Sequence, residues 1–336
     1  MDRYQRQSIF RRIGQEGQAK LAQARVAIVG IGALGTVIAN ELVRAGVGFL
    51  RLIDRDCVEY HNLHRQMLFT ENDALLQIPK AVAARQHLVQ VNSTIEIEAI
   101  VADFNGLNAI SLTESIDLVL DGTDNRETRL LIDEVCFFRQ IPWVFGGVLG
   151  SSGMTMNIIP GKSACYHCLI GAPKNHFDGN TCSTSGVLNM ITGIVASLQS
   201  VEALKILLQD PDLRTDLLFW DIWNNQHLTM AVEPRPDCPL CQQKKYYRLN
   251  HATGVLTQLL CGQDAVQIIP GSSKAVNFTE IAERLKSICT VNYNTFMLTL
   301  DDGEHPITLF RDGRAIIRKV RNEGQALGIY TDYFGL

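Results

Sequence analysis

The chain has 336 residues, is 46% hydrophobic, and carries 31 Lys and Arg against 35 Asp and Glu, a net charge of −4. This length accommodates one large core plus a smaller second unit, and the interspersed charge of both signs excludes a general nucleic-acid binder, which needs a basic stripe and a high isoelectric point. The opening Met1-Asp2-Arg3-Tyr4-Gln5-Arg6 has no apolar core or small-residue cleavage site, so a cytosolic protein is expected. In that reducing setting, paired spacings among the nine cysteines read as metal ligands rather than as a disulfide framework.

In chain order, residues 25–30 form a short apolar strand and Gly30-Ile31-Gly32-Ala33-Leu34-Gly35 makes a turn. Residues 36–45 then read as a helix ended by Gly46, and a second strand over 49–53 ends in Asp54. Strand, glycine turn, helix, strand and acid together make a mononucleotide-binding unit. Further strands are expected at 95–101, 117–121 and 143–145, with helices over 79–91 and 128–138. The alternation predicts an α/β fold, a mainly parallel Rossmann-like sheet with helices on both faces. On such a sheet the turns after the strands converge, so the Gly30 loop, Asp54 and Asp121-Gly122-Thr123-Asp124-Asn125 would share one site.

The most apolar long segment, 187–208, contains Asn189, Gln199, Glu202 and Lys205, which are costly in a bilayer, and reads as a buried or amphipathic helix. After Cys241 a polar Gln242-Gln243-Lys244-Lys245 linker leads into a small α+β unit, with strands at 265–269, 296–300 and 307–310 and helices at 278–288 and 323–334.

In the glycine loop, Gly30 permits the tight turn, Gly32 lets backbone approach a phosphate, and Gly35 allows close helix–strand packing. Asp54 stands where a carboxylate accepts ribose hydroxyls, a fingerprint that alone favours NAD over ATP. The next segment, Asp56-Cys57-Val58-Glu59-Tyr60-His61-Asn62-Leu63-His64-Arg65-Gln66, gathers polar and cationic groups that hydride transfer does not need. Asn62, Arg65 and Lys80 suit a triphosphate, against the bland reading of a solvated face. Asp124 at a strand's carboxyl end suits magnesium or, alternatively, an N-cap, for which Thr123 and Asn125 also serve. Gly161-Lys162-Ser163 has Met156 where a Walker A loop needs glycine, which excludes P-loop chemistry.

Two Cys-x-x-Cys pairs, Cys165/Cys168 and Cys238/Cys241, suggest a four-thiolate zinc site across a long insertion, with a redox role as the alternative. Four thiolates leave no open position, so the site would be structural, and zinc loss would lower stability before it changes chemistry. Cys182, in a polar stretch before the apolar helix, is the one thiol for which catalysis and a bland role weigh equally. Cys57, Cys136, Cys261 and Cys289 read as packing residues.

Arg3-Tyr4-Gln5-Arg6-Gln7, the Gly30 loop, Asp54-Arg55-Asp56, Asn62-Leu63-His64-Arg65-Gln66, Pro79-Lys80, Asp121-Gly122-Thr123-Asp124-Asn125 and the cysteine pairs, in that order, resemble the ThiF/MoeB/HesA family of ubiquitin-activating-enzyme-like adenylyltransferases. The resemblance covers about the first three quarters of the chain. It implies an adenylation domain with a four-cysteine zinc site over 1–245 and a small α+β extension over 246–336, the latter similar to that of thiamin-pathway members of the family. It also implies ATP-dependent adenylation of the C-terminal Gly-Gly of a small ubiquitin-like sulfur carrier protein, with ATP, Mg2+ and Zn2+ bound.

Carried over by residue, the resemblance makes Gly30, Gly32, Gly35, Asp54, Asp56, Asn62, Arg65, Gln66, Lys80, Asp124 and Asn125 the nucleotide-facing set. Arg65, Lys80 and Asp124 would be catalytic, Arg6 would complete the partner subunit's pocket in a homodimer, and Cys182 would take part in sulfur transfer in some members. A cysteine desulfurase or rhodanese is the implied sulfur donor, with no nucleic acid or membrane among the partners. His61 and His64 depart from the family pattern, where serine and glutamine are more usual. The competing readings are a non-catalytic scaffold of the same fold, a nicotinamide oxidoreductase, and a same-superfamily enzyme adenylating a peptide or tRNA. Retained Arg65, Lys80 and Asp124 disfavour the scaffold, and the zinc pairs disfavour the oxidoreductase.

Overall fold

The computed structural model describes residues 3–171, 186–250, 254–260, 264–271 and 276–335. The chain divides into two compact units, Met1–Asn250 and His251–Leu336.

The first unit is built on eight strands: β1 (Arg25–Val29), β2 (Phe49–Asp54), β3 (Glu96–Val101), β4 (Leu118–Asp121), β5 (Trp143–Leu149), β6 (Ser152–Ile158), β7 (Leu217–Asp221) and β8 (Gln226–Met230). Their order is β3-β2-β1-β4-β5-β6-β7-β8. The first five run parallel, and β5 to β8 continue as an antiparallel meander. The sheet is therefore mainly parallel, as the alternation predicts, while the antiparallel half has no counterpart among the expected strands.

Register brings the strand ends together. Val29 lies opposite Ile53 on one side and Asp121 on the other, so Gly30, Asp54 and Gly122 leave the sheet side by side. The helix Ala33–Ala45 starts directly after the glycine loop and stops at Gly46, which adopts φ 84° and donates its amide to the carbonyls of Leu42 and Val43. It begins three residues earlier than the hydrophobic period alone indicates, because the loop glycines pack the helix start against the strand.

The segment expected as a buried helix is Asn189–Leu208. Among the described residues it is long and apolar enough to cross a bilayer by length and composition, yet it lies against β4, β5, β6 and the helix Ala33–Ala45. Its buried Gln199 amide nitrogen and Glu202 carboxylate are partnered. Gln199 donates to the carbonyls of Asp121 and Val144 at 2.9 and 3.2 Å, and Glu202 accepts from Asn157 and from Lys205. Beyond the other face of the sheet, the helix Arg126–Arg139 closes a core of Val119, Leu131, Val135, Trp143 and Phe145 that also takes in Cys165, Cys168 and Cys238.

The second unit is a six-stranded antiparallel sheet: β9 (Leu256–Leu260), β10 (Ala265–Ile269), β11 (Thr290–Tyr293), β12 (Met297–Asp301), β13 (Ile307–Phe310) and β14 (Ala315–Arg318), in the order β11-β12-β13-β14-β10-β9. Alternate residues Val266, Ile268, Leu298, Leu300, Leu309 and Ile317 form its core with Phe278 and Tyr330 of the helices Phe278–Leu285 and Glu323–Phe334. Tyr330 donates its hydroxyl to the carbonyl of Gly313 at 2.8 Å, fixing the β13–β14 turn.

Candidate active site

Two glycine turns interlock at the carboxyl ends of β1 and β4. A Cβ on Gly35 would stand 2.0 Å from the Gly30 carbonyl oxygen, and one on Gly122 would stand 2.1 Å from the same atom. Both positions are closed to any side chain. Gly32 differs: a Cβ there would meet nothing nearer than Gln66 Nε2 at 3.8 Å and the Gly122 oxygen at 3.9 Å. The fold does not demand glycine at 32, so the open space over its backbone fits an approaching ligand.

Asp54 is 9% exposed, and its two oxygens accept from the amides of Ile31 at 2.6 Å and Asp56 at 2.8 Å. Burial raises its pKa, opposed by the positive charge of Lys80. Lys80, 7% exposed at the start of the helix Lys80–Val91, donates to Asp56 Oδ2 at 3.1 Å. Burial alone would lower its pKa, but the carboxylates of Asp56, Asp54 and Asp124 outweigh burial and raise it, so it stays a cation. The helix reaches this position because the Lys80 amide bonds to the Asp56 carbonyl at 2.9 Å and Val58 to Ile78 at 2.9 Å, which fastens the loop after β2 to the helix entry.

Asn62 and Gln66 are each 4% exposed, whereas His61 and His64 are exposed. The Arg65 guanidinium donates to the His61 carbonyl at 3.0 Å and to Asn62 Oδ1 at 3.2 Å. Gln66 turns its Nε2 toward the Gly32 backbone, while its Oε1 is buried without a hydrogen-bond partner among the described residues.

Asp124 is exposed, and the helix Arg126–Arg139 is capped by its neighbour Asn125, whose Oδ1 accepts from the Thr128 amide at 2.8 Å. The capping role therefore belongs to Asn125. Beneath this turn lies a pairing that sequence reasoning missed: Asp121, fully buried, accepts from Arg129 Nε at 2.9 Å and from the amide and hydroxyl of Thr123 at 2.9 and 2.6 Å. A cation set directly against the apolar run Leu130-Leu131-Ile132 was the available signal.

The four paired cysteines meet. Cys165 Sγ lies 3.7 Å from Cys168 and 3.5 Å from Cys238, and Cys168 lies 3.5 Å from Cys241. A tetrahedron of sulfurs about 2.3 Å from zinc has edges of about 3.8 Å, so the set fits that ion. Burial, with the charge of Asp133 and the neighbouring thiols, pushes Cys165 well above the usual thiol range, and Cys241 is pushed up to about 12, chiefly by burial. Four cysteine sulfurs this close suit a cation that takes the place of their protons. Asp133 anchors the knuckle, accepting from the His167 amide at 3.0 Å and lying 2.8 Å from its Nδ1, while Trp143 donates to its other oxygen at 3.2 Å.

The structure thus brings Gly30, Gly32, Gly35, Asp54, Asp56, Asn62, Arg65, Gln66, Lys80, Asp124 and Asn125 to one end of the sheet, with the cysteine cluster in the core beside the helix Arg126–Arg139. Arg6 is exposed on the helix Gln5–Ser8 and makes no hydrogen bond or ion pair with any described residue. Cys182 and Cys261 lie outside the described residues, and Cys136 is fully buried.

Comparison with known proteins bears on this arrangement. The sulfur carrier protein ThiS adenylyltransferase of Bacillus subtilis (strain 168) is 36% identical over 339 residues, spanning 99% of this chain and 99% of its own. The sulfur carrier protein adenylyltransferase of Thermus thermophilus is 34% identical over 247 residues, 72% of this chain and 90% of its own. In fold, the crystal structure of E. coli MccB with MccA-N7isoASN aligns with a TM-score of 0.63 at 21% sequence identity, covering 72% of this chain and 75% of that one. A family model described as the ThiF family matches residues 4–240, the span that holds both glycine turns, Lys80 and three of the four clustered cysteines up to Cys238, and the chain belongs to that family.

Proposed function

We propose that this chain is an adenylyltransferase that uses ATP to activate the C-terminal Gly-Gly carboxylate of a small ubiquitin-like sulfur carrier protein. The observation that carries this reading is the convergence of Lys80, Asp54, Asp56 and Asp124 at one end of the sheet, beside an open glycine backbone. The relatives named for sulfur carrier adenylation support the choice of substrate.

The chemistry follows from charge and alignment. A terminal carboxylate is ionised at neutral pH and attacks the α-phosphorus without a general base. A new carboxyl oxygen–phosphorus bond forms, the α–β bridging bond breaks, and pyrophosphate leaves with the electron pair. Asp54 holds the ribose, the Gly32 amide region and Asn62 hold phosphate oxygens, and Arg65 and Lys80 stabilise charge on the transferring and leaving groups. Asp124, exposed and not engaged as a cap, would hold Mg2+, which adds positive charge at the phosphates. Cys165, Cys168, Cys238 and Cys241 would hold Zn2+ as a structural ion, with no open position for a substrate.

A homodimer belongs to the same reading. Arg6 has no partner within its own described chain, and Ile9 and Phe10 beside it are 66% and 60% exposed, an apolar surface suited to a second copy. Cys182 is the thiol proposed for sulfur transfer, with a desulfurase or rhodanese as donor. Carrier-dependent exchange of labelled pyrophosphate into ATP tests the whole reading. Exchange is expected with a carrier ending in Gly-Gly and not with one lacking the last glycine, and failure with every such carrier would remove the proposal.

A further inference from the structure

We propose that Arg129 is a positioning residue, whose forked guanidinium holds the 121–125 turn so that Asp124 projects toward the triphosphate; this rests on the adenylation reading above. The turn is fastened residue by residue. The Asp121 carboxylate takes the Thr123 amide and hydroxyl and Arg129 Nε, and its carbonyl takes Gln199 Nε2. The Gly122 amide donates to the Val29 carbonyl at 2.8 Å. The Thr123 carbonyl accepts from Arg129 Nη2 at 2.6 Å, and Asn125 is occupied as the helix cap.

Asp124 is the exception. Its side chain makes no hydrogen bond with the described residues, yet it is close enough to Lys80 to raise that ammonium's pKa. A turn in which four residues are tied and the fifth is left exposed within electrostatic reach of Lys80 is what positioning requires.

Arg129 does more than neutralise Asp121. The same Nη2 also donates to the Gly146 carbonyl at 3.0 Å, so one rigid plane joins the end of β4 and the middle of β5 to the turn. The guanidinium lies 5.2 Å from the centre of the Phe145 ring, which keeps it from swinging out. A lysine would keep the buried charge beside Asp121 but has no planar fork to reach Nε-type and Nη-type partners at once. That difference separates positioning from charge balance.

The experiment compares wild type, Arg129→Lys and Thr123→Val in the intact protein. Arg129→Lys is expected to hold ATP within about threefold of the wild-type Kd. Its kcat in carrier-dependent pyrophosphate exchange should fall at least tenfold, and hydrogen exchange should quicken in the peptide spanning 121–125 while that of 189–208 is unchanged. Should Arg129→Lys fold poorly, Thr123→Val removes one donor to Asp121 without touching the arginine and is expected to show the same split more weakly. Exchange within twofold of wild type in both variants, or equal loss of ATP affinity and kcat together with general amide exposure, would overturn the positioning role. No exchange by wild type with any Gly-Gly carrier would instead defeat the adenylation reading, and the amide exchange at 121–125 would still decide whether Arg129 holds the turn.

Discussion

Lys80 Nζ stands 3.1 Å from Oδ2 of Asp56, so the buried cation proposed to meet the triphosphate is held in place by a carboxylate that is itself half exposed. Asp56 keeps Lys80 charged and aimed, and a phosphate oxygen can take over the contact. Lys80→Ala should lower carrier-dependent pyrophosphate exchange by roughly a hundredfold or more, on the order of 3 kcal/mol of barrier, as for loss of one preorganised transition-state donor. Near-normal exchange by that variant would remove Lys80 from the machinery.

The two kinds of glycine in the site separate stability from binding. Gly35→Ala forces a Cβ to 2.0 Å from the Gly30 carbonyl oxygen, a backbone atom that cannot turn aside, and should destabilise the first unit by about 3 kcal/mol or more. Gly32→Ala has room and should leave the melting temperature nearly unchanged while weakening ATP binding at least tenfold. Calorimetric melting and nucleotide titration on both variants check the contrast. Unaltered ATP affinity in Gly32→Ala would mean that no phosphate lies over that backbone.

Reduced protein should contain one zinc per chain by elemental analysis, and a strong chelator should lower its melting temperature. Cys165→Ser should mimic the chelator, since the Cys165 sulfur contacts both Cys168 and Cys238. Protein free of zinc after purification under reducing conditions would contradict a structural metal role.

Acid sensitivity has an identifiable contributor in Asp73. Its carboxylate lies 2.8 Å from His87 Nε2 and accepts from the amide and hydroxyl of Thr70, each at 2.8 Å. Burial alone would raise its pKa, but the contacts to His87 and Thr70 prevail and hold it below the usual carboxylate range. A lowered folded-state pKa stabilises above the unfolded value of about 3.9, and that stabilisation is lost as pH falls through the folded value. Asp73→Asn should therefore cost about 1–2 kcal/mol near neutrality, with the deficit shrinking below about pH 4. Denaturant midpoints of both proteins across the acid range would show it, and a constant deficit would locate the effect elsewhere.

The sequence by itself determined the parts that depend on near neighbours. The strand–glycine turn–helix–strand–acid order, the helix stop at Gly46 and the two cysteine pairs are local features, because turn geometry and hydrophobic period are written within a few residues. The mainly parallel sheet followed from alternation of strands and helices, and the family from the order of motifs.

Tertiary structure decided what depends on register and on partners far along the chain. The meander β6 to β8 was legible only in part: Met154, Met156 and Ile158 alternate with small or polar residues in β6 and Leu217-Leu218-Phe219-Trp220 form an apolar run in β7, but β8 is exposed along its length, and the antiparallel pairing of the three depends on partners far along the chain. Asp124 and Asn125 are equally good caps by type, and only the bond from Thr128 settled which one serves. Arg129 meets Gly146 and Asp121 because β4 and β5 are neighbours in the sheet, and Lys80 meets Asp56 because Val58 and Ile78 pair across the loop between them. Such contacts join residues whose separation in sequence carries no period, so composition and spacing hold no trace of them, whereas strand register fixes them.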